Sequence, residues 1–258
     1  MGFKKLLQRI YLWPLLPPER VDFYQSKIRR AEWEAVKPFI KKNSTFLDVG
    51  CGAGYNLKAA ATELNCIVQG IDPEPGAHGV GRYSASSVDQ LPIDQGFAEK
   101  LPYESERFEV VFSSHVLEHV NSIPQSLSEM KRVMKNDGTL IIGMPSATMG
   151  WIGLFSQMLF TTHMRWYNFF MHPFVKTPKT KFKFLFLPPS HSEENKTALY
   201  DISHYKAKTW AKHIQSVFVI HQVLLPALYP YPDFRQLFTL RKSTRFGSSV
   251  FFICSKPS

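Results

Sequence analysis

Short apolar runs alternate with amphipathic stretches over much of the chain. Brief apolar runs predict buried strands, whereas apolar residues three and four positions apart predict helices. The predicted strands are Thr45–Val49, Ile67–Ile71, Arg107–Ser113, Thr139–Gly143, Val217–Leu225 and Ser248–Cys254. The predicted helices are Val21–Ile40, Tyr55–Leu64, Pro124–Met134 and Lys206–Ser216. Because strands and helices that alternate along a chain form a parallel sheet with helices on both faces, we predict an α/β fold.

The alternation stops between residues 145 and 202, where aromatic residues are frequent. Residues 138–164 contain no Lys, Arg, Asp or Glu, and their length alone would fit a transmembrane span. We reject a span because Thr139–Gly143 is needed as a strand and the rest is interrupted. The interrupting residues are Pro145, Ser146, Gly150 and Gly153. We expect residues 145–202 to form an insertion that covers a ligand site.

The composition is that of a folded domain, since 44% of the residues are hydrophobic, which argues against a disordered or fibrous protein. The length of 258 residues suits one domain with an insertion, assigned to residues 21–258. The cysteines, Cys51, Cys66 and Cys254, are far apart and lack the spacing of metal ligands. We expect reduced thiols in a cytoplasmic protein, and no bound metal.

The net charge of +10 favours an anionic partner, although a solvated basic surface explains it equally well. The first 42 residues hold ten Lys or Arg and four Asp or Glu, and 165–183 is a second, acid-free basic stretch. Within residues 1–20, basic residues interleave with apolar ones at helical spacing, without a signal-peptide pattern. This segment predicts a short amphipathic helix that lies on an anionic membrane surface or packs on the domain.

The most informative segment is Phe46–Gly54, a predicted strand that runs into Gly50, Gly52 and Gly54. The strand leads the chain to the carboxyl edge of the sheet, where open α/β folds bind ligands. Glycines allow a sharp turn close to a ligand, and the N–H groups that begin the next helix favour a carboxylate. Asp48 can accept hydrogen bonds from an ammonium group. An amino acid headgroup offers both charges.

A second acidic residue, Asp72, ends the next strand, where a carboxylate can bind both hydroxyls of a ribose. The two features together imply a cofactor that contains adenosine. A dinucleotide is less favoured, because its G-x-G-x-x-G spacing is absent and Asp48 would repel a pyrophosphate. A turn without any ligand is less favoured still, because three alternate glycines would cost stability without a purpose.

At these residues the chain resembles the class I S-adenosylmethionine-dependent methyltransferases, in particular the small-molecule group that includes the ubiquinone and menaquinone biosynthesis methyltransferases. The resemblance covers about residues 21–145 and, weakly, the last two strands. The blocks that carry it, in order, are Leu47–Gly54, Gly70–Asp72, Ala98–Tyr103, Phe108–Val111, Ser113–Val120 and Leu127–Gly143. It implies a Rossmann-like, seven-stranded, mostly parallel sheet, an aromatic-rich insertion after the fifth strand, and S-adenosyl-L-methionine as cofactor.

The resemblance also implies roles for single residues. The glycine turn with Asp48 would hold the methionine part, Asp72 the ribose, Ala98 and Glu99 the adenine, and 113–115 would line the floor near the sulfonium. The predicted cofactor-binding residues are Asp48, Gly50, Cys51, Gly52, Gly54, Asp72, Pro73, Ala98, Glu99, Ser113 and His115. The chain departs from the family at Phe97, where relatives often carry an acid that accepts from the adenine amine.

Methyl transfer needs orientation of the two reactants and, for some acceptors, a base, which near neutral pH is usually histidine. The histidines considered are His115, His119, His191 and His204. We name His115 and His204 as candidate catalytic residues. A packing or capping role is the alternative for each.

The aromatic insertion stands where relatives build their substrate cover, which suits a small, apolar or lipid-linked acceptor methylated on oxygen or carbon. With the basic start, this predicts a cytoplasmic enzyme that works peripherally at a membrane. An RNA or protein methyltransferase is the alternative suggested by the charge. A nucleic-acid partner is less favoured, because 113–115 is not an Asn/Asp-Pro-Pro-Tyr-type motif. A non-catalytic module that binds the cofactor is a third alternative.

Overall fold

The computed structural model describes residues 18–80, 91–171, 183–193, 195–230 and 245–257. Residues 1–17, which carry most of the predicted amphipathic start, lie outside these ranges, and so do residues 172–182 of the basic stretch. The predictions made for them therefore stay predictions.

The strands form one seven-stranded sheet in the order β3-β2-β1-β4-β5-β7-β6. They are β1 (Thr45–Val49), β2 (Ile67–Asp72), β3 (Ile93–Gln95), β4 (Phe108–Ser114), β5 (Met134–Pro145), β6 (Val219–Leu224) and β7 (Ser249–Ser255). β7 runs antiparallel to β5 and β6, and the remaining neighbours are parallel. The predicted Rossmann-like, mostly parallel sheet is confirmed.

Helices cover both faces of this sheet. They are α1 (Pro18–Val36), α2 (Tyr55–Leu64), α3 (Ile123–Val133), α4 (Ala147–Met171), α5 (Lys183–Phe186), α6 (Ala198–His204) and α7 (Ala207–Gln215). One core packs α1 and α2 on the sheet, with Trp33 and Leu57 fully buried, and the other packs α3 and α7, with Met130 and Ile214 buried. Successive residues of β1 alternate between the two cores, as the pleat of a strand requires.

The predicted bounds hold best beside the glycine turn, where β1 and α2 agree with them. The helix predicted over Val21–Ile40 ends at Val36 and continues as a 3-10 turn, Lys37–Phe39. The helix predicted over Pro124–Met134 is α3, which ends one residue earlier, and the strand predicted over Thr139–Gly143 begins earlier, at Met134. The strand β3 was not predicted at all. It has three residues, of which only Ile93 is apolar, so it carries no periodic pattern.

The expected interruption at Gly150 and Gly153 was also wrong, because α4 runs unbroken through both for 25 residues. Gly150 lies against α6, where an added Cβ would come within 3.1 Å of the backbone of Ile202. The glycine therefore serves close helix packing rather than a break. No helix within the described ranges combines the length and the apolar character that a bilayer span requires.

Candidate functional site

The glycine turn begins where β1 ends and folds back against β2. Gly50, Gly52 and Gly54 have φ of +75°, +55° and +80°, a left-handed backbone that other residues rarely adopt. The N–H of Gly50 donates to the Ile71 carbonyl at 2.7 Å. A Cβ on Gly52 would lie 2.5 Å from the His78 carbonyl oxygen, so only glycine fits there. The turn is thus held between β2 and the following loop.

The Asp72 carboxylate is fixed by two backbone donors. Its Oδ2 accepts from the Gly52 N–H at 2.8 Å, and its Oδ1 accepts from the Glu74 N–H at 2.9 Å. The residue is only 5% exposed. Because each carboxylate oxygen can accept about two hydrogen bonds, both oxygens keep capacity for hydroxyl donors. Asp72 is therefore positioned to bind a diol.

Asp48 lies on the same face of the sheet as Asp72. It is opposite Gly70 in the register, and Asp72 is two residues further along β2, so both side chains leave the sheet on one side. Asp48 is 1% exposed, and its Oδ2 has no hydrogen-bond partner among the described residues. Burial raises the pKa of this carboxyl to about 8; a hydrogen bond from Asn56 opposes the shift and the Asp72 charge adds to it.

A buried oxygen without a partner costs free energy, so it indicates a polar ligand. An ammonium group would satisfy Asp48 Oδ2 and stabilise its ionised form. Beside it, α2 begins after Gly54 without a side-chain cap, which leaves N–H groups of its first turn available to an anion. The edge therefore offers complementary contacts to an amino acid headgroup and, at Asp72, to a diol.

The residues predicted beside adenine, Ala98 and Glu99, lie in the loop that follows β3. Ala98 is buried, whereas Phe97 is exposed to 60%. The Glu99 carboxylate accepts from the Asn121 N–H at 2.7 Å. Pro73 is exposed and its carbonyl accepts from Gln95 Nε2 at 3.0 Å. These positions stay predictions, since the contacts in the structure are equally those of a stable loop.

Two serines end β4 next to the turn. Ser113 pairs in register with Val49, and its buried Oγ has no hydrogen-bond partner among the described residues. The buried Oγ of Ser114 also has no hydrogen-bond partner among the described residues. The carboxyl end of β4 therefore adds unsatisfied hydroxyls to the edge that holds Asp48.

His115 follows directly, in a left-handed conformation with φ of +58°. Its Nδ1 lies 3.5 Å from Glu118 Oε1 and its Nε2 lies 3.6 Å from Glu32 Oε1. Burial and Arg29 oppose protonation, but the two carboxylates outweigh them and raise the pKa of the imidazole. A non-glycine residue held at positive φ stores strain, which is typical of functional sites.

Glu32 is the residue of this cluster that the sequence did not reveal. It is 3% exposed, pairs with Arg29, and accepts from Ser249 Oγ at 2.6 Å and Tyr229 OH at 3.2 Å. Burial alone would raise the pKa of this carboxyl, but Arg29 and His115 lower it to about 2. It lies on α1 within an ordinary amphipathic pattern, so no local signal could have found it.

His119 borders this cluster, with its Nε2 4.0 Å from Glu118 Oε1, and His204 lies at the surface. His119 has its ring 5.3 Å from that of His191, centroid to centroid, and lies at the surface. His204 is exposed, stacks on Tyr200 at 3.7 Å, and places Nδ1 2.9 Å from the Tyr200 carbonyl. These contacts lie within its own helix, so a catalytic role for His204 stays a prediction.

All three cysteines are free and buried, which agrees with reduced thiols. Burial raises the pKa of the Cys51 thiol, so Cys51 contributes to the turn as a small apolar residue. In the parts of the chain that the structure describes, no three His, Cys, Asp or Glu side chains are grouped to hold a metal ion.

Comparison with known proteins gives a consistent picture. A family model described as a methyltransferase domain matches residues 47–142. A tRNA U34 carboxymethyltransferase from Hahella chejuensis is 33% identical over 118 residues, 43% of this chain and 36% of the relative. A ubiquinone/menaquinone biosynthesis C-methyltransferase from Campylobacter jejuni is 28% identical over 110 residues, 40% of this chain and 46% of the relative. This chain thus matches less than half the length of these relatives.

Among solved structures, a SAM-dependent methyltransferase from Thermotoga maritima superposes with a TM-score of 0.54 at 16% identity. The superposition covers 99% of this chain and 97% of the other. The two proteins therefore share the fold along nearly their whole length.

Proposed function

We propose that this chain, which carries a class I S-adenosylmethionine-dependent methyltransferase domain, transfers a methyl group from that cofactor to a small apolar acceptor. One observation supports the proposal most strongly. Asp48 and Asp72 lie on the same face at the carboxyl edge of the sheet, and Asp48 keeps a buried oxygen without a partner among the described residues. Had the two carboxylates pointed to opposite faces, one cofactor could not contact both.

The residues fit the cofactor in chemical terms. Asp48 would bind its ammonium group, the first turn of α2 its carboxylate, and Asp72 its ribose hydroxyls. The unsatisfied hydroxyls of Ser113 and Ser114 would border the methionine side. S-adenosylmethionine, when bound, supplies a methyl group activated by a cationic sulfur.

His115 is the candidate base of this edge. Glu32 and Glu118 hold its ring from two sides, so they act as positioning residues. A base must be neutral to accept a proton, and the carboxylates favour the protonated imidazole in the free chain by raising its pKa. A base role for His115 therefore predicts a methyl-transfer rate that increases with pH as the imidazole loses its proton.

The acceptor class follows from the elements next to this edge. The strand β5 ends at Pro145 on the edge that holds Asp48, and α4 follows at once with many aromatic residues. Four of these aromatic side chains, Trp151, Phe155, Trp166 and Phe170, are exposed, so they suit an apolar partner that meets the protein at its surface. An apolar or lipid-linked acceptor, methylated on oxygen or carbon, is therefore the acceptor we propose.

RNA is the second candidate acceptor. The tRNA U34 carboxymethyltransferases among the relatives and the net charge of +10 favour it.

Incubation with radiolabelled S-adenosylmethionine and a cell extract distinguishes an apolar acceptor from RNA. Label in the organic phase indicates an apolar acceptor, and nuclease-sensitive label indicates RNA. A non-catalytic module would bind the cofactor and label neither fraction.

Cofactor binding is tested by titration calorimetry with S-adenosylhomocysteine. Asp72→Ala removes the diol acceptor, and since hydrogen bonds to charged groups contribute about 1.5–3 kcal/mol, we expect affinity to fall roughly 10- to 100-fold. The matched control is Asp94→Ala, which removes a neighbouring carboxylate that accepts from Tyr103 and Gln69. Equal affinities for the wild type and Asp72→Ala would contradict the assignment.

A further inference from the structure

The outward face of α4 is mostly apolar, with His163 as an exposed polar residue between Leu159 and Trp166. The exposed apolar side chains of this face, spaced mostly by three, four or seven residues, are Trp151, Phe155, Met158, Leu159, Trp166 and Phe170. We call this set the α4 stripe. Phe155 and Leu159 are 61% and 64% exposed, and the rings of Trp151 and Phe155 and of Trp166 and Phe170 stack in pairs.

This pattern is the reverse of an ordinary surface helix, which turns charged residues outward. The opposite face of α4 is buried through Leu154 and Phe160, and Gly150 packs on α6. Helix α4 therefore presents apolar surface on both sides. A contiguous exposed apolar patch of this kind marks an interaction surface.

The charge near the stripe selects the partner. Residues 138–192 contain no Asp or Glu in the sequence, and Arg165 and Lys183 are the lysines and arginines of this range that the structure describes. Lys176, Lys179 and Lys181 add positive charge in the sequence but lie outside the described residues. A second copy of the chain would bring two such stretches together, and like charges repel. An anionic lipid surface satisfies both the aromatic side chains and the positive charge.

We propose that the α4 stripe lies in the headgroup region of an anionic membrane. Two tryptophans on one face suit that region, because indole rings prefer the membrane–water interface. Since α4 begins at Ala147, just after β5 ends at the carboxyl edge that also holds Asp48, docking would bring this edge towards lipid. The inference goes beyond the proposed function, and vesicle binding needs neither cofactor nor turnover.

Flotation of the full chain with vesicles tests the proposal. We expect binding to vesicles rich in phosphatidylglycerol and at least about tenfold weaker binding to pure phosphatidylcholine. Phe155→Glu/Leu159→Glu should weaken binding to the anionic vesicles by about tenfold or more. The matched control, Ile67→Glu/Val219→Glu, adds the same charge at two other exposed apolar positions and should bind like the wild type.

Tryptophan emission with brominated lipids gives a second, milder test. Of the five tryptophans, Trp33 and Trp210 are buried, and Trp151 and Trp166 lie in the stripe. We expect bromine to quench wild-type emission and Trp151→Phe/Trp166→Phe to lose most of that quenching while it still floats. This conservative variant decides the question if the glutamate variant fails to fold.

Three results would overturn the proposal. The first is a wild type that does not float with anionic vesicles. The second is quenching that persists in Trp151→Phe/Trp166→Phe, which would move the contact to another part of the chain, such as Trp13. The third is a dimer in analytical ultracentrifugation that Phe155→Glu/Leu159→Glu converts to monomers, which would assign the stripe to a second copy.

Discussion

At the scale of single residues, the Asp48 carboxyl couples cofactor binding to pH. Burial raises its pKa to about 8, so near neutral pH it is largely protonated in the free chain. An ammonium group in contact favours the ionised form, so binding of S-adenosylhomocysteine should release a proton. Affinity should rise as pH increases from about 6 towards 8, because less work is then needed to remove that proton.

Calorimetry in buffers with different ionisation enthalpies measures this proton. The apparent binding enthalpy should vary with the buffer for the wild type, and should vary less for Asp48→Asn, which has no carboxyl to deprotonate. Asp94→Asn is the matched control and should behave like the wild type. A wild-type enthalpy independent of the buffer would show that Asp48 does not change its protonation state.

Much of the candidate site was predictable from local residues. Asp48, the three glycines and Asp72 carry their chemistry in spacing, because each stands just before or after a strand end. Glu32 was not predictable, since it reaches His115 only through folding of α1 against the end of β4. The left-handed backbone of His115 likewise follows from tertiary contacts and not from its residue type.

At the scale of elements, Gly150 sets how closely α4 and α6 pack. A Cβ at this position would already lie 3.1 Å from the backbone of Ile202, and Gly150→Val would push further side-chain carbons against it. We expect a loss of about 1–3 kcal/mol in the free energy of unfolding. Gly150→Ala is the matched variant, and its helix propensity, worth about 1 kcal/mol, offsets the smaller crowding.

Urea unfolding of the wild type, Gly150→Ala and Gly150→Val measures whether the valine variant is the least stable of the three. Equal midpoints for the alanine and valine variants would mean that α4 and α6 are not in close contact.

The elements with strong periodicity were predictable, and those that depend on neighbours were not. β1 and α2 match their predicted bounds because apolar spacing and the glycine turn define them. β3 exists through pairing of Ile93 with Gly70 rather than through its own pattern. The continuity of α4 depends on packing against α6, which overrides the helix-breaking tendency of its glycines.

At the scale of the whole molecule, Glu32 links the first described helix to the last strand. Its carboxylate joins Arg29 of α1, Ser249 of β7 and Tyr229, and also faces His115. Because its pKa falls from 4.5 to about 2 on folding, it stabilises the folded state fully above about pH 4.5. That contribution is lost as the pH falls from there towards 2.

Thermal unfolding between pH 7 and pH 3 tests this link. Glu32→Gln should be less stable at pH 7 by about 1–3 kcal/mol, since Arg29 loses its charged partner. It should also lose less stability on acidification than the wild type. Glu104→Gln, at an exposed glutamate, should follow the wild type. If the wild type and Glu32→Gln lost the same stability between pH 7 and pH 3, the ionised Glu32 carboxylate would not stabilise the folded state.

The most direct test of the whole account is a crystal structure of the chain with S-adenosylhomocysteine. We predict ribose hydroxyls within hydrogen-bond distance of both Asp72 oxygens and the ligand ammonium at Asp48 Oδ2, with the glycine turn beneath the methionine part. Ligand density elsewhere, or an edge closed by protein side chains in crystals grown at saturating ligand, would contradict the account.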